Sequence, residues 1–215
     1  MAPSRFDPEV LHAITPDKLA AALAGPPRVP KWAIADRVPS AVCVPLVETS
    51  GGLEVWIIRR PDGMRHHARE LAFPGGKAEP SDACLLDTAL RETEEELGVP
   101  RDAARVLGAL TPVPPATSRF VIHPFVTVVD PSVVPLPAAR EVAELIRAPI
   151  AAFFDGRIGY SIVEMSLYVS PIFTFASGSM YGASAHVLLE LLETCEAITG
   201  ARLPKPTRAD QVPWA

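Results

Sequence analysis

The chain has 215 residues, a formal net charge of −5 and 48% apolar residues. That is enough for one packed domain with long connections, and it excludes wholesale disorder. With no dense run of Lys or Arg, a nucleic-acid strand is excluded as the expected partner, and a small anionic ligand would need a metal to supply positive charge.

Met1 to Asp7 is polar and carries an acid, with no apolar run behind it, so no secretory leader is expected. Val10, Leu11, Ile14, Leu19, Ala20 and Leu23 have the spacing of one or two short amphipathic helices broken near Pro16. Gly25 to Pro30 reads as a Pro-rich linker. Residues 1–30 are therefore taken as an N-terminal helical segment, 31–202 as the main domain and 203–215 as an irregular tail. Ala41–Val47 and Leu53–Arg59 are β-branched runs around Glu48-Thr49-Ser50-Gly51-Gly52, which predicts a hairpin. Pro61-Asp62-Gly63 is a turn, and Leu71–Phe73 a short strand that stops at Pro74-Gly75-Gly76. A helix is expected from about Asp82 to Leu97, ended by Gly98 with Pro100 beyond. Further strands are expected at Ala104–Leu110, Val121–Val129 and Ser161–Val169. A short helix is expected around Val142–Phe154 and a final one over Ala183–Ile198. Strands mixed with helices and hairpins indicate an α+β fold, with a mixed β-sheet and helices packed on both faces.

The chemistry concentrates on the helix after Gly76. At about 100° per residue, with Glu92 at zero, Glu96 falls about 40° to one side and Glu95 about 60° to the other. Glu94 points away. Leu86, Ala89, Leu90, Thr93 and Leu97 occupy a separate arc, so packing and charge have different faces. Three facing acids near a helix C-terminus oppose the macrodipole and repel one another. A hard divalent cation such as Mg²⁺ or Mn²⁺ relieves both effects. Arg91 stands four residues before Glu95 and can orient it. The Gly75-Gly76 loop lets backbone approach a ligand, and the Gly76 carbonyl can join a metal shell.

Gly76 to Val99 resembles the box of the Nudix hydrolases, G-x5-E-x7-R-E-U-x-E-E-x-G-U with U apolar. Arg91-Glu92-Thr93-Glu94-Glu95-Glu96-Leu97-Gly98-Val99 matches its second half, with Thr93 at a U position. Asp82 stands where the early Glu belongs, and one extra residue separates Gly76 from Arg91. An extra residue in the loop Lys77–Ser81 accounts for the difference and leaves the register of the later acids intact, with the role of Asp82 open. The resemblance implies the α/β/α sandwich of that family and metal ligation by Glu92, Glu95 and Glu96. It also implies attack of water on a phosphorus of a nucleoside diphosphate linked to another moiety. For proton removal Glu95, Glu141 and Glu144 are all candidates.

From about Pro39 to Leu192 the chain is similar to the coenzyme A pyrophosphatase branch. The resemblance is carried by Ala41-Val42-Cys43-Val44-Pro45-Leu46, Arg59-Arg60, Arg65 eight residues before Phe73-Pro74-Gly75-Gly76, Glu141-Val142-Ala143-Glu144 and Tyr181-Gly182-Ala183-Ser184-Ala185. It departs at Arg69, Glu70 and Tyr181. Arg59, Arg65 and Arg69 are the candidate substrate-binding cations, with Arg60, His66 and His67 around them. The implied reaction cuts coenzyme A or an acyl-CoA into 3',5'-ADP and a 4'-phosphopantetheine. The alternatives are hydrolysis of ADP-ribose or a nucleotide sugar, and a nucleotide-sensing module that cuts nothing. Cys43, Cys84 and Cys195 are an odd, dispersed set and read as reduced thiols. No window reaches the ~20 apolar residues of a membrane span, so a cytoplasmic enzyme acting on a small nucleotide is expected. A homodimer is left open.

Overall fold

The computed structural model describes residues 11–25, 36–62, 69–115, 118–165 and 168–209. In chain order its elements begin with α1 (Pro16–Leu23), β1 (Val38–Thr49), β2 (Gly52–Arg59), β3 (Leu71–Ala72), β4 (Gly75–Lys77) and α2 (Leu85–Leu97). After a 3-10 turn at Arg101–Ala103 come β5 (Ala104–Ala109), β6 (Phe120–Val129), β7 (Glu144–Pro149) and α3 (Ala151–Phe154). The chain continues with β8 (Gly159–Glu164), β9 (Val169–Phe175), β10 (Gly178–Met180), α4 (Gly182–Thr199) and β11 (Thr207–Arg208).

The main sheet has seven strands with the spine β3-β2-β1-β6-β5; β7 lies along β2, and β4 along β1. β1 and β6 run parallel from Val38↔Phe120 to Val47↔Val129, and the other pairings are antiparallel. The predicted hairpin closes on Thr49↔Gly52, where Gly52 takes φ 99°. A second sheet of four strands has the order β10-β9-β8-β11.

β1 is apolar on both sides because both of its faces are covered. Cys43 and Val47 face α2 and its surroundings; Val44 and Leu46 face the larger core. β2 repeats the alternation, with Trp56 and Ile58 on the α2 side and Val55 and Ile57 on the other. That other side is filled by α1 through Leu19 and Leu23, by α4 through Leu188, Leu191 and Leu192, and by Phe153 and Phe173 from α3 and β9. Helices therefore cover both faces of a mixed sheet, as expected.

Several elements differ from the sequence expectation. Glu144–Pro149 is not helical: it pairs with β2 from Arg59↔Glu144 to Glu54↔Pro149, and only Ala151–Phe154 coils. Pairing with an open sheet edge overrides the weak local helical pattern. The expected strand Ser161–Val169 belongs to two strands, since β8 and β9 pair antiparallel from Gly159↔Thr174 to Glu164↔Val169. In the tail, Thr207 and Arg208 pair in parallel with Ser161 and Ile162. α1 starts at Pro16, a residue that suits a first turn because its missing N–H would have no helical partner. Thr15 caps it, accepting from the Lys18 amide at 3.3 Å.

Candidate functional site

β4 and α2 build the site. β4 is short because Gly75 and Gly76 have no side chains to cover; it is held on β1 by Val42↔Gly75, Ala41↔Gly76 and Ser40↔Lys77. The closeness is tight. A Cβ on Gly75 would fall on the Ala41 carbonyl, and one on Gly76 would fall inside the Glu92 carboxylate. Backbone thus occupies space that no other residue type leaves open, and it brings the strand against the acidic face of α2.

α2 begins at Leu85, later than the expected Asp82, because residues 79–82 form a turn that uses the Asp82 side chain. Asp82 Oδ2 accepts from the Glu79 amide at 2.9 Å and from the Thr88 hydroxyl at 2.8 Å. Arg91 Nε and Nη2 donate to Asp82 Oδ1 and Oδ2 at 2.9 and 3.1 Å, a two-pronged pair. The Arg91 hydrogen bonds, with those from Glu79 and Thr88, hold the Asp82 carboxyl well below the usual carboxylate range and push the arginine pKa up. The same guanidinium reaches the acids: Nη1 donates to Glu92 at 3.1 Å and to both Glu95 oxygens at 3.3 Å. Nη2 also donates to the Lys77 carbonyl at 3.3 Å. Asp82 therefore anchors the arginine that aligns Glu92 and Glu95. Thr88, one turn before Glu92 on its face, is part of this arrangement and was missed by sequence reasoning. Its helical position four before Glu92 was the available signal.

Glu96 borders the core stripe and is 3% exposed. It accepts the Gly75 amide at 2.9 Å, and Arg60 Nη2 stands 4.0 Å away. Burial, with Glu92 and Glu141 as further negative neighbours, pushes its pKa up to about 7 despite Arg60 and the amide. Burial also raises Glu92. Glu95 keeps 45% of its side chain exposed. Glu94 points away, as the wheel predicted, and pairs with Arg101 at 3.0 Å. The helix ends at Gly98, φ 67°, whose amide donates to the Glu94 carbonyl at 2.9 Å.

The segment from Asp130 to Ala143 crosses the end of α2 like a strap. Leu136 and Ala138 donate their amides to the Leu97 and Glu96 carbonyls at 2.7 and 2.9 Å. Glu141 lies in this strap, paired with Arg140 at 2.8 Å, and its charge adds to the upward push on the pKa of Glu92 and Glu96. Glu144 lies elsewhere. It accepts from Arg59 at 3.0 Å and from the Ser177 hydroxyl at 2.7 Å, bonds that lower its pKa.

A cleft of about 760 Å³ opens beside Gly75 and Gly76, between the main sheet and the second sheet with α4. Arg60, Lys77 and Arg37 are the cations on its lining. Of the sequence candidates, Arg59 pairs with Glu144 and Asp62, so its neighbour Arg60 is the strand-end arginine in the cleft wall. Arg69, φ 63°, pairs with Asp62 at 3.1 Å and is absent from the lining. Arg65, with His66 and His67, lies outside the described residues.

Among the described residues no three His, Cys, Asp or Glu side chains close into a metal cage. The acids instead lie along one side of α2, with Arg91 bridging Glu92 and Glu95 and with Glu96 buried against the Gly75 amide. Their donor chemistry fits a hard cation. Glu92 sits in the space a Cβ on Gly76 would fill, and buried Glu96 is costly to ionise without added positive charge. Mg²⁺ uses one or two carboxylates and keeps waters, which suits such a row of acids.

A mixed sheet between helices, with a Gly-Gly strand set against a carboxylate helix, defines the Nudix class of α/β/α sandwich. The chain belongs to that family: residues 36–157 match the NUDIX domain. It is similar to the Nudix hydrolase NudL of Yersinia enterocolitica, 44% identical over 94 residues covering 44% of this chain and 48% of that one. NudL of Yersinia pestis is 42% identical over 94 residues, covering 44% and 47%. The chain thus aligns with about half the length of these curated relatives. A MutT/nudix family protein from Enterococcus faecalis shares the fold, with TM-score 0.50 and 13% identity over 80% of this chain and 70% of that one. No helix among the described residues is long and apolar enough to cross a membrane.

Proposed function

We propose that this protein hydrolyses a nucleoside diphosphate joined to a second moiety, using divalent metal on the edge formed by Glu92, Glu95 and Glu96, and that coenzyme A or an acyl-CoA is the substrate. The observation that carries the reading is the junction of that edge with the cleft at Gly75-Gly76, where a diphosphate can meet carboxylate-held metal and Arg60 together. Bound Mg²⁺ or Mn²⁺ neutralises phosphate oxygens and acidifies water. The chain's own groups do the rest. Arg91, locked by Asp82, fixes Glu92 and Glu95 before substrate arrives, so little reorganisation is left for the reaction. Arg60 offers donors to a non-bridging phosphate oxygen. The water oxygen bonds to one phosphorus as the bond from that phosphorus to the bridging oxygen breaks. The proton passes to a carboxylate and the leaving phosphate departs, giving 3',5'-ADP and 4'-phosphopantetheine.

For the proton acceptor we propose Glu141, whose charge acts on Glu92 and Glu96 from the strap over α2 and which, among the described residues, pairs only with the exposed Arg140, whereas Glu144 is tied to both Arg59 and Ser177. Incubation with Mg²⁺ or Mn²⁺ and CoA, ADP-ribose, NADH or dinucleoside polyphosphates, followed by chromatography, tests the reading. Cleavage of CoA to 3',5'-ADP is expected. ADP-ribose cut while CoA is untouched overturns the substrate and keeps the reaction. No turnover of any of them, in a folded protein, points to a sensing module.

A further inference from the structure

We propose that the far end of the cleft is a receptor for a flat heteroaromatic ring, the base of the nucleotide ligand, walled by Phe120 and Tyr168 and kept in shape by Arg37. This rests on the nucleoside-diphosphate reading above and adds which half of the ligand lies where.

The strand register sets the scale. Gly75, which anchors Glu96, pairs with Val42; Phe120 pairs with Val38, four residues earlier on the same strand. Four residues span about 13 Å. The cleft therefore continues along β1 well past the length of a diphosphate, and Phe120 stands at that remote end. Val42, Ile122 and Phe120 line it from the same face of the main sheet. The facing wall is Met165 and Tyr168, joined by the Met165 amide donating to the Tyr168 carbonyl at 2.8 Å, together with His186 from the start of α4. The Tyr168 and His186 rings are 6.4 Å apart. Phe120, Tyr168 and His186 are all half-buried and all line the cleft. Such faces suit a base, whose π-surface stacks on aromatic side chains whatever its sequence identity.

Arg37 explains why the wall holds its shape. Its Nη1 donates to the carbonyls of Pro115, Ser118 and Phe120 at 3.1, 2.8 and 3.2 Å. Val113 and Ile122 form an antiparallel bridge beside these carbonyls, and Pro115, Ser118 and Phe120 all line the cleft. Three partly buried carbonyls converge on one nitrogen, so without a donor there each would have to turn to water and the wall would loosen. Arg37 is thus a positioning residue: it sets Phe120 without being required to touch the ligand. A guanidinium NH₂ has two hydrogens for these three acceptors, whereas an ammonium has three. Lysine can therefore replace it and methionine cannot.

Calorimetric binding of half-ligands to the full chain tests this without turnover, using AMP, ribose 5-phosphate and 4'-phosphopantetheine. AMP is expected to bind at least about tenfold more tightly than ribose 5-phosphate, which lacks only the base. Phe120→Ala and Tyr168→Ala each remove most of that difference and leave phosphopantetheine unchanged. Phe120→Leu, which keeps apolar volume and loses the π-face, does the same should the alanine variant unfold. Arg37→Met weakens AMP and Arg37→Lys restores it. Equal binding of AMP and ribose 5-phosphate overturns the proposal. So does loss of phosphopantetheine instead of AMP in the aromatic variants, which would put a chain at the far end. A protein that binds AMP this way yet cuts no diphosphate keeps the base site and loses the catalytic reading; turnover with AMP binding indifferent to both aromatics does the reverse.

Discussion

The two adjacent glycines of β4 do different jobs, and single methyl groups separate them. On Gly76 a Cβ meets the end of the Glu92 side chain, which can swing away. Gly76→Ala is expected to fold with nearly unchanged Tm while losing at least about a hundredfold in kcat, since displaced acids no longer preorganise the site. On Gly75 the Cβ meets the Ala41 backbone, which cannot move without unpairing β1 and β4. Gly75→Ala is expected to lower Tm clearly in thermal melts, in addition to abolishing activity. Asp82 acts through Arg91. Asp82→Asn keeps the size and removes the charge-assisted pair, so kcat should drop by roughly tenfold or more with KM little changed in steady-state assays.

At the scale of one helix, α2 carries an electrostatic cost that a bound cation would relieve. The folded-state pKa of Glu96, about 7, lies above its ordinary 4.5. The folded protein therefore holds a proton that the unfolded chain has lost, and this stability is complete below about 4.5 and gone once pH has passed about 7. Glu92, raised in the same direction, adds to it. His123, lowered by burial, works the opposite way below its ordinary 6.5, and Asp82 is constant across this range because it is ionised in both states. In chelator-treated protein, stability should fall between pH 5 and 7 by up to about 1.4 kcal/mol per unit from Glu96. Glu96→Gln removes that component. Mg²⁺ or Mn²⁺ should raise Tm more at pH 8 than at pH 5, because metal and proton compete for the same oxygens. Equal metal stabilisation at both pH values would sink the assignment of Glu96 as a ligand.

Across the whole molecule, the segment ahead of the main domain is joined to it by packing. Leu19 is fully buried in the same cluster as Val126, Leu107 and Leu188, and a Cβ on Gly108 would strike Leu23. Leu19→Ala should cost about 2–5 kcal/mol in denaturant unfolding. The loss should appear in one transition shared by the sheet and α4, as expected of one core.

What the sequence determined by itself was local. The spacing of Glu92, Glu95 and Glu96, the stop at Gly98, the hairpin around Gly51-Gly52 and the mixed character of the sheet all follow from periodicity and turn chemistry within short windows. Glu94 was correctly turned outward for the same reason. Only the tertiary structure decided what depends on partners distant along the chain. Asp82 became the anchor of Arg91, Glu144–Pro149 became a strand because β2 had an open edge, and Arg60 rather than Arg59 reached the cleft because neighbours on a strand face opposite ways. Glu144 is held by Arg59 and Ser177, partners 85 and 33 residues away along the chain. Such contacts are chosen by the packing of the whole core, and no window of sequence contains both sides of them.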